Sequence, residues 1–181
     1  LLRGGGPLAP VPLALWCASA RGRVSTRLLA AGVVAAVLPD ADVLGFALHV
    51  PYADAFGHRG ASHSLLFSAV LAALALALYR PLRAGPAQAA AFVFACALSH
   101  PLLDAFTSGG LGVALWWPWS EARLFAPWRP IRVSPFANGF FSARGLQTVL
   151  SELRWVWLPL TLAVLGWRLL PHRSPAGSRT P

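Results

Sequence analysis

Long apolar runs, broken by short polar or proline-containing segments, dominate this sequence. The runs are residues 28–38, 64–79, 87–106 and 155–170, with weaker pieces at 7–20 and 43–50. A segment in contact with lipid must satisfy its own backbone hydrogen bonds, so the runs are predicted to be α-helices. Sixteen residues, as in 64–79, rise about 24 Å as a helix, whereas the hydrocarbon core of a bilayer is about 30 Å thick. We therefore expect the polar residues at the ends of the runs near the membrane interface.

The composition agrees with a membrane protein. Hydrophobic residues make up 56% of the chain and charged residues 12%, whereas soluble domains carry about 25% charged residues. We predict an all-α, multi-pass helical membrane protein with four or five spans, whose partner is the lipid bilayer. Residues 1–170 form the single helical membrane domain in this interpretation, and residues 171–181 form a polar C-terminal tail.

The basic residues point less clearly to a partner. The formal net charge is +9, and all 15 basic residues are arginine. Because the arginines are spread over every loop along the sequence, we do not expect binding to nucleic acid.

The acidic residues carry a stronger signal, because the chain has only six. Asp40, Asp42 and Asp104 lie at the ends of apolar runs, beside prolines or histidines. An ionised aspartate inside a membrane span costs about 2.5–3.5 kcal/mol on insertion scales. A compensating partner is therefore expected, and the histidines are the nearest candidates.

Three short motifs contain these residues: "LPDAD", "HRGASHS" and "SHPLLD". His100 and Asp104 are four residues apart, which puts both on one face of a helix. His58 and His63 are five residues apart, so we place His58 in the loop and His63 at the helix start, capped by Ser62 or Ser64. Imidazole nitrogens and carboxylate oxygens are ligands for zinc and similar divalent ions.

Each motif has a simpler interpretation when it is taken alone. These are a structural hydrogen bond between His100 and Asp104, solvated loop histidines, and helix-capping aspartates. The three motifs together favour a metal site because of their places along the runs. "LPDAD" is at the C-terminal end of the first run, "HRGASHS" at the N-terminal end of the second and "SHPLLD" at the C-terminal end of the third. In an up-down-up bundle these three ends lie on the same side. We therefore predict one pocket with three carboxylates and three histidines, which is enough for two divalent ions.

The same motifs resemble a known family. "LPDAD", "GHRGASHSLLF", "SHPLLDAFTSGG" and "WWPWSEARLFAPWRPIRVSPF" are similar to the YdjM-type family of bacterial inner-membrane proteins, which are described as membrane-bound metal-dependent hydrolases. The order of ligands also resembles, more distantly, the zinc-dependent phospholipase C and P1 nuclease group. The resemblance implies an inner-membrane location and one to three divalent ions, with zinc as the expected metal. The metal ligands that it implies are Asp40, His58, His63, His100 and Asp104, with Asp42 as a ligand or as their support.

The sequence departs from the family at its beginning. The family usually has a Thr-His pair in its first helix, and that histidine is thought to be a ligand. Leu8 stands near this position here. Either the site lacks one ligand or the start of this chain is altered.

The site type suggests the chemistry. A divalent ion lowers the pKa of bound water from 15.7 to about 7, and two ions can hold both reacting oxygens of a phosphate. Arg59 and Arg123 are predicted to hold substrate oxygens and are assigned with Asp42 to the catalytic group, although binding of lipid headgroups by these arginines is an equal alternative. We expect hydrolysis of a phosphoester in a lipid or lipid-linked substrate.

A non-enzymatic metal-binding protein, such as a transporter or a stress sensor, is the alternative. A transporter should carry polar residues deep in several spans, whereas residues 65–78 contain only Ser68, which favours the enzyme. The positive-inside rule places the arginines at positions 21, 23, 27, 80 and 83 in the cytoplasm, and therefore the active site on the periplasmic face.

Overall fold

The computed structural model describes residues 10–19, 23–133 and 142–170. Its α-helices are α1 (Pro10–Ala18), α2 (Thr26–Val37), α3 (Leu65–Ala77), α4 (Pro86–Ala105), α5 (Ala143–Glu152) and α6 (Leu158–Leu169). Tighter 3₁₀ segments follow α2 (Leu38–Leu48) and precede α3 (Ala61–His63), and a π-helical turn, Leu153–Trp157, joins α5 to α6. These ranges contain no β-strand beyond two isolated bridges, so the predicted all-α class is confirmed.

Helix α2 ends where the sequence predicted, but the chain after it does not form a separate apolar helix. It continues directly from α2 as the 3₁₀ segment Leu38–Leu48. Pro39 is tolerated there because the first turn of a helix leaves the backbone N–H without an intrahelical partner. The segment ends at His49, whose backbone is left-handed with φ 60°. Asp40 and Asp42 therefore lie on a tightly wound extension of the helix.

Helices α2, α3 and α4 form the core beneath the site. The core consists mainly of small and apolar side chains: Leu28, Ala35, Ala36, Ala75, Ala89, Phe92, Val93, Cys96 and Ala97. Gly32 allows α2 to approach α4 closely, because a Cβ there would lie 2.5 Å from Phe92 Cε1 and 2.9 Å from Cys96 Sγ. This close packing fixes the end of α2 relative to the end of α4.

Among the residues that the structure describes, three helical segments are long and apolar enough to cross a membrane: Thr26–Leu48, Pro86–Ala105 and Ala143–Leu169. Helix α3 is apolar but shorter, so the number of spans stays a prediction within the confirmed class. The last helical segment begins at Ala143, twelve residues before the predicted run at 155. That run was predicted too short because α5 mixes polar and apolar side chains, and continuous apolarity was the criterion.

The connection after α4 folds back over the ends of the helices. The backbones of Val113 and Leu124 pair with each other, and the Ala114 N–H donates to the carbonyl of Arg59 at 3.0 Å. Trp116, Trp119 and Trp128 on this connection are exposed, as expected for residues at a membrane interface. The connection therefore covers the loop that carries His58 and His63.

Candidate metal centre

The three sequence motifs meet at one end of the bundle. Asp40, His63, His100 and Asp104 each offer one ligand atom, and these four atoms lie within 4.8 Å of one another. The first lies beyond α2, the second directly before α3, and the last two on the final turns of α4. Asp40 is the most accessible, with 15% of its side chain exposed, whereas the other three are buried.

The distances define a compact group of two nitrogens and two oxygens. His100 Nε2 lies 3.2 Å from Asp40 Oδ1 and 3.9 Å from Asp104 Oδ2. His63 Nε2 lies 3.8 Å and 3.5 Å from the same two oxygens. Two imidazoles and two carboxylates around one point are a donor set that suits four-coordinate zinc.

One atom of this group is unusual. His63 is fully buried, and its Nε2 has no hydrogen-bond partner in the described part of the chain. Its nearest acceptor, Asp104 Oδ2, is 3.5 Å away, which is too long for a well-formed bond. A buried polar atom without a partner costs about 1–3 kcal/mol. Coordination of a metal ion would use this nitrogen, and the residues present therefore fit a bound cation.

Asp42 contacts the Nδ1 atoms of two histidines, His58 and His63. Its Oδ1 lies 2.6 Å from His58 Nδ1, and its Oδ2 lies 3.2 Å from His63 Nδ1. The same Oδ2 accepts hydrogen bonds from Ser62 Oγ at 2.6 Å and from the Arg59 N–H at 3.0 Å. A carboxylate that binds the outer ring nitrogen of a histidine fixes the tautomer that leaves Nε2 available for metal. This arrangement favours support of the ligands, one of the two roles that the resemblance implied for Asp42.

His58 is the ligand candidate that stands apart. It forms a second possible group with Asp42 and His63, and its ring packs edge-on against Tyr52 and His63. The four-residue group does not include it. Its assignment as a metal ligand therefore stays a prediction. The short contact with Asp42 accounts for the position of its ring without a metal ion.

The charges around His63 oppose the effect of its burial. Burial lowers the pKa of His63, but contacts with Asp104 and Asp42 and their negative charges raise it more strongly, to about 9. Without a metal ion, His63 is therefore positively charged at neutral pH, with a proton on each ring nitrogen. A metal ion and the proton on Nε2 compete for the same side chain.

The comparisons with known proteins cover most of the chain. Residues 8–174 match the family model described as YdjM inner membrane protein. The chain belongs to the YdjM family. It is 46% identical over 164 residues to "Inner membrane protein YbcI" of Escherichia coli (strain K12), an alignment that covers 88% of this chain and 95% of that protein. No solved structure matches the chain.

The YdjM-family match supports an inner-membrane location. The matching relative carries that location in its name, and the described part of the chain has three apolar helices long enough to span a bilayer. The family resemblance inferred from the motifs is therefore confirmed. The more distant likeness to zinc-dependent phospholipase C stays a prediction.

Arg59 has a different environment from the one predicted for a residue that holds substrate. It is buried, with 4% exposure, and its Nε lies 3.0 Å from Asp104 Oδ2. Its Nη1 donates to Thr107 Oγ1 and to the Gly109 carbonyl, both at 3.0 Å. Its backbone is left-handed, with φ 63°, a conformation that is uncommon outside glycine and often marks functional sites. The guanidinium thus contacts Asp104 and Thr107 within the chain.

Arg123 likewise binds within the chain. Its Nη1 donates to the His58 carbonyl at 2.9 Å, and its Nη2 donates to the carbonyls of Tyr52 and Asp54 at 3.2 and 2.8 Å. These bonds hold the loop that carries His58 against the connection after α4. A side chain with these contacts stabilises the loop, and it would have to leave them to reach a substrate.

Two further residues near the cluster were missed by sequence reasoning. Thr107 is buried and links Arg59 to α4, because its Oγ1 accepts from Arg59 and donates to the Asp104 carbonyl at 2.7 Å. Glu152, at the end of α5, is half-buried and is an electrostatic neighbour of Asp104. A lone threonine after a helix gave no signal in the sequence, whereas Glu152 could have been noticed as an acid beside an apolar run. Leu8, where the family's first histidine is expected, lies outside the described residues.

Proposed function

We propose that this YdjM-family protein is a membrane-bound metal-dependent hydrolase. Its substrate is a phosphoester in a lipid or lipid-linked molecule, and its site is on the periplasmic face of the inner membrane. The observation that carries the proposal is the buried His63 Nε2, which lacks a hydrogen-bond partner in the described chain and faces two carboxylates and a second imidazole. A structural cluster of hydrogen bonds would satisfy this atom, whereas a metal site requires it to be available.

Asp40, His63, His100 and Asp104 would hold the ion, and zinc is the metal that this donor set suits best. When bound, a divalent ion lowers the pKa of coordinated water to about 7 and so makes hydroxide available at neutral pH. His58, beside His63, is the candidate ligand of any further ion.

The surrounding residues prepare the ligands. Asp42 fixes the ring orientations of His58 and His63 through their Nδ1 atoms. Arg59 stabilises the ionised form of Asp104 and holds its carboxylate in place. Asp40, as the partly exposed member, lies where water and substrate can enter. We assign Arg59 and Arg123 as positioning residues, in place of the substrate-holding role expected from the sequence.

The alternative is a metal-binding protein without catalysis, and the same site would serve it. The test is hydrolysis of a panel of phosphoesters, including phospholipids, by the purified full-length chain with and without a chelator. We expect hydrolysis that a chelator abolishes and that added zinc restores. His100→Ala and Asp104→Asn should abolish the activity, while His172→Ala, in the tail, should not.

Retention of full activity by Asp104→Asn would contradict the assigned site. Metal binding without hydrolysis of any ester would favour the sensor or transporter interpretation. The comparison must be made at equal metal loading, so that a loss of affinity is not read as a loss of chemistry.

A further inference from the structure

The end of the bundle opposite the candidate metal centre is also closely packed. The residues before and within the first turn of α2 lie against the loop between α3 and α4. Ser25 Oγ donates to the Leu82 carbonyl at 2.5 Å, and Arg27 Nη1 donates to the Pro81 carbonyl at 3.1 Å. Gln88 Nε2 donates to the Arg23 carbonyl. Segments about 55 to 65 residues apart in the sequence therefore form one surface.

This surface carries four exposed arginines: Arg23, Arg27, Arg80 and Arg83. We call it the basic surface. None of the four pairs with a carboxylate in the part of the chain that the structure describes. All six acidic residues lie elsewhere in the sequence, and residues 23–37 and 70–100 contain none. The positive-inside rule had placed these arginines on one side of the membrane, and the structure shows that their two distant loops are in contact.

Two of the guanidinium groups are held in place without losing their charge. Arg27 is fixed by the Pro81 carbonyl. Arg80 donates from Nε to the Tyr79 hydroxyl at 2.9 Å and lies 5.6 Å from the centre of that ring. Because these contacts are to neutral groups, they leave the positive charge available to an external anion. Ordering the side chains in advance reduces the entropy lost when an anion binds.

The surface next to the arginines is apolar. Leu74, on the last turn of α3, and Leu78, the residue after the helix, are 54% and 53% exposed. A basic group at the end of an exposed apolar helix face matches an amphiphile whose phosphate lies at the membrane interface and whose chains lie along the helix. A soluble anion would use the arginines but not the leucines.

We propose that the basic surface binds the phosphate of an anionic phospholipid, with the acyl chains along Leu74 and Leu78. Arginine forks match phosphate oxygens, and basic residues favour the anionic cytoplasmic leaflet. Binding at this end orients the bundle so that the Asp/His cluster faces the other side of the membrane. The proposal does not depend on the hydrolase activity.

The experiment compares lipid binding by the purified full-length chain in detergent. Phosphatidylglycerol and phosphatidylcholine with the same acyl chains are titrated, and lipid adducts are counted by native mass spectrometry. One variant carries glutamine at all four positions of the basic surface. The control variant carries the same number of Arg→Gln changes at exposed arginines near the other end of the sequence, namely Arg129, Arg132, Arg144 and Arg154.

We expect the unmodified chain to prefer phosphatidylglycerol. Each basic residue near an anionic surface contributes about fivefold in affinity. Even if only two of the four contact the lipid, the variant of the basic surface should therefore bind phosphatidylglycerol more than about tenfold more weakly. Phosphatidylcholine also carries a phosphate, but its choline cation cancels the net charge, so its binding should fall less than that of phosphatidylglycerol. The control should stay within about threefold of the unmodified chain. Circular dichroism establishes that both variants are folded, and Arg80→Gln with Arg83→Gln should give an intermediate loss if the fourfold variant does not fold.

Three outcomes would overturn the proposal. These are the absence of a preference for phosphatidylglycerol, an equal loss in both variants, and retention of the preference when the basic surface is neutralised. Inorganic phosphate is titrated separately. Binding of phosphate alone at the affinity of the lipid, with the same dependence on the four arginines, would also overturn the assignment to a lipid.

Discussion

Replacement of Asp42 by asparagine is the most informative test of how the candidate metal centre is built. Asp42 is not in the four-residue group, but its two oxygens contact the Nδ1 atoms of His58 and His63. Asparagine has almost the same shape and only one oxygen. Its amide N–H₂ must face either His58 Nδ1, if the oxygen keeps the contacts with Ser62 and the Arg59 N–H, or His63 Nδ1. In either case one of the two rings meets a donor where the carboxylate accepted.

An amide donor at His63 Nδ1 favours the opposite tautomer. The ring proton then sits on Nε2, the atom that should bind the metal. Loss of such outer support lowers metal affinity by about 10–100-fold, which corresponds to about 1.4–2.7 kcal/mol. Since the four direct ligands are unchanged, binding should weaken without a change in the number of ions at saturation.

The assay is zinc titration of the purified chain, by calorimetry or with a competing chelator. Asp54→Asn is the matched control, because Asp54 is exposed and uses one oxygen to accept from the Phe56 N–H at 2.9 Å, which asparagine can also do. We expect the control to bind zinc like the unmodified chain. An affinity of Asp42→Asn within about twofold of the control would refute the reasoning that Asp42 orients the ligands.

Further outcomes follow from the same structure. The pKa of His63 is raised to about 9, and coordination requires the neutral ring. Zinc affinity measured at pH 6, 7 and 8 should therefore rise by about tenfold per pH unit for each proton that the ion displaces. A zinc affinity that does not depend on pH would exclude this competition. Gly32→Ala brings a Cβ against Phe92 and should lower the free energy of unfolding by about 1–3 kcal/mol. Gly166→Ala, with nothing within 4 Å of the added Cβ, should raise it by about 0.5–1 kcal/mol. Equal melting temperatures for the two variants would contradict the close packing of α2 on α4. Leu8→His should increase the number of bound zinc ions and the rate of ester hydrolysis if the first family histidine is a ligand, and equal values in both chains would mean that Leu8 is simply part of the apolar first segment.

The sequence was sufficient to predict that the motifs converge. Counting apolar runs gave the alternation of chain direction, and this alone puts "LPDAD", the start of α3 and the end of α4 at one end of the bundle. Of the predicted site residues, Asp40, His63, His100 and Asp104 form the compact group. Ser64 was one of two candidates to cap α3, and it does so, with its Oγ accepting from the Phe67 N–H at 3.0 Å.

The roles of individual polar residues could not be read in the same way. Which of Asp40 and Asp42 faces the cluster depends on the 3₁₀ winding after α2, and the sequence indicated only that α2 stops. Arg59 was expected to reach substrate, but its left-handed backbone and its contacts with Asp104 and Thr107 direct it inward. A pattern of residue types does not specify whether a charged side chain finds its partner within the chain or in a ligand.

The central claim is that the Asp/His cluster binds a divalent ion. It is tested most directly by counting zinc per chain, by elemental analysis, in the purified full-length protein after loading and removal of excess metal. The unmodified chain should retain at least one ion, and His63→Gln, which loses the buried nitrogen, should retain at least one fewer while remaining folded. Retention of no zinc by the folded unmodified chain, or the same count in His63→Gln, would contradict the account.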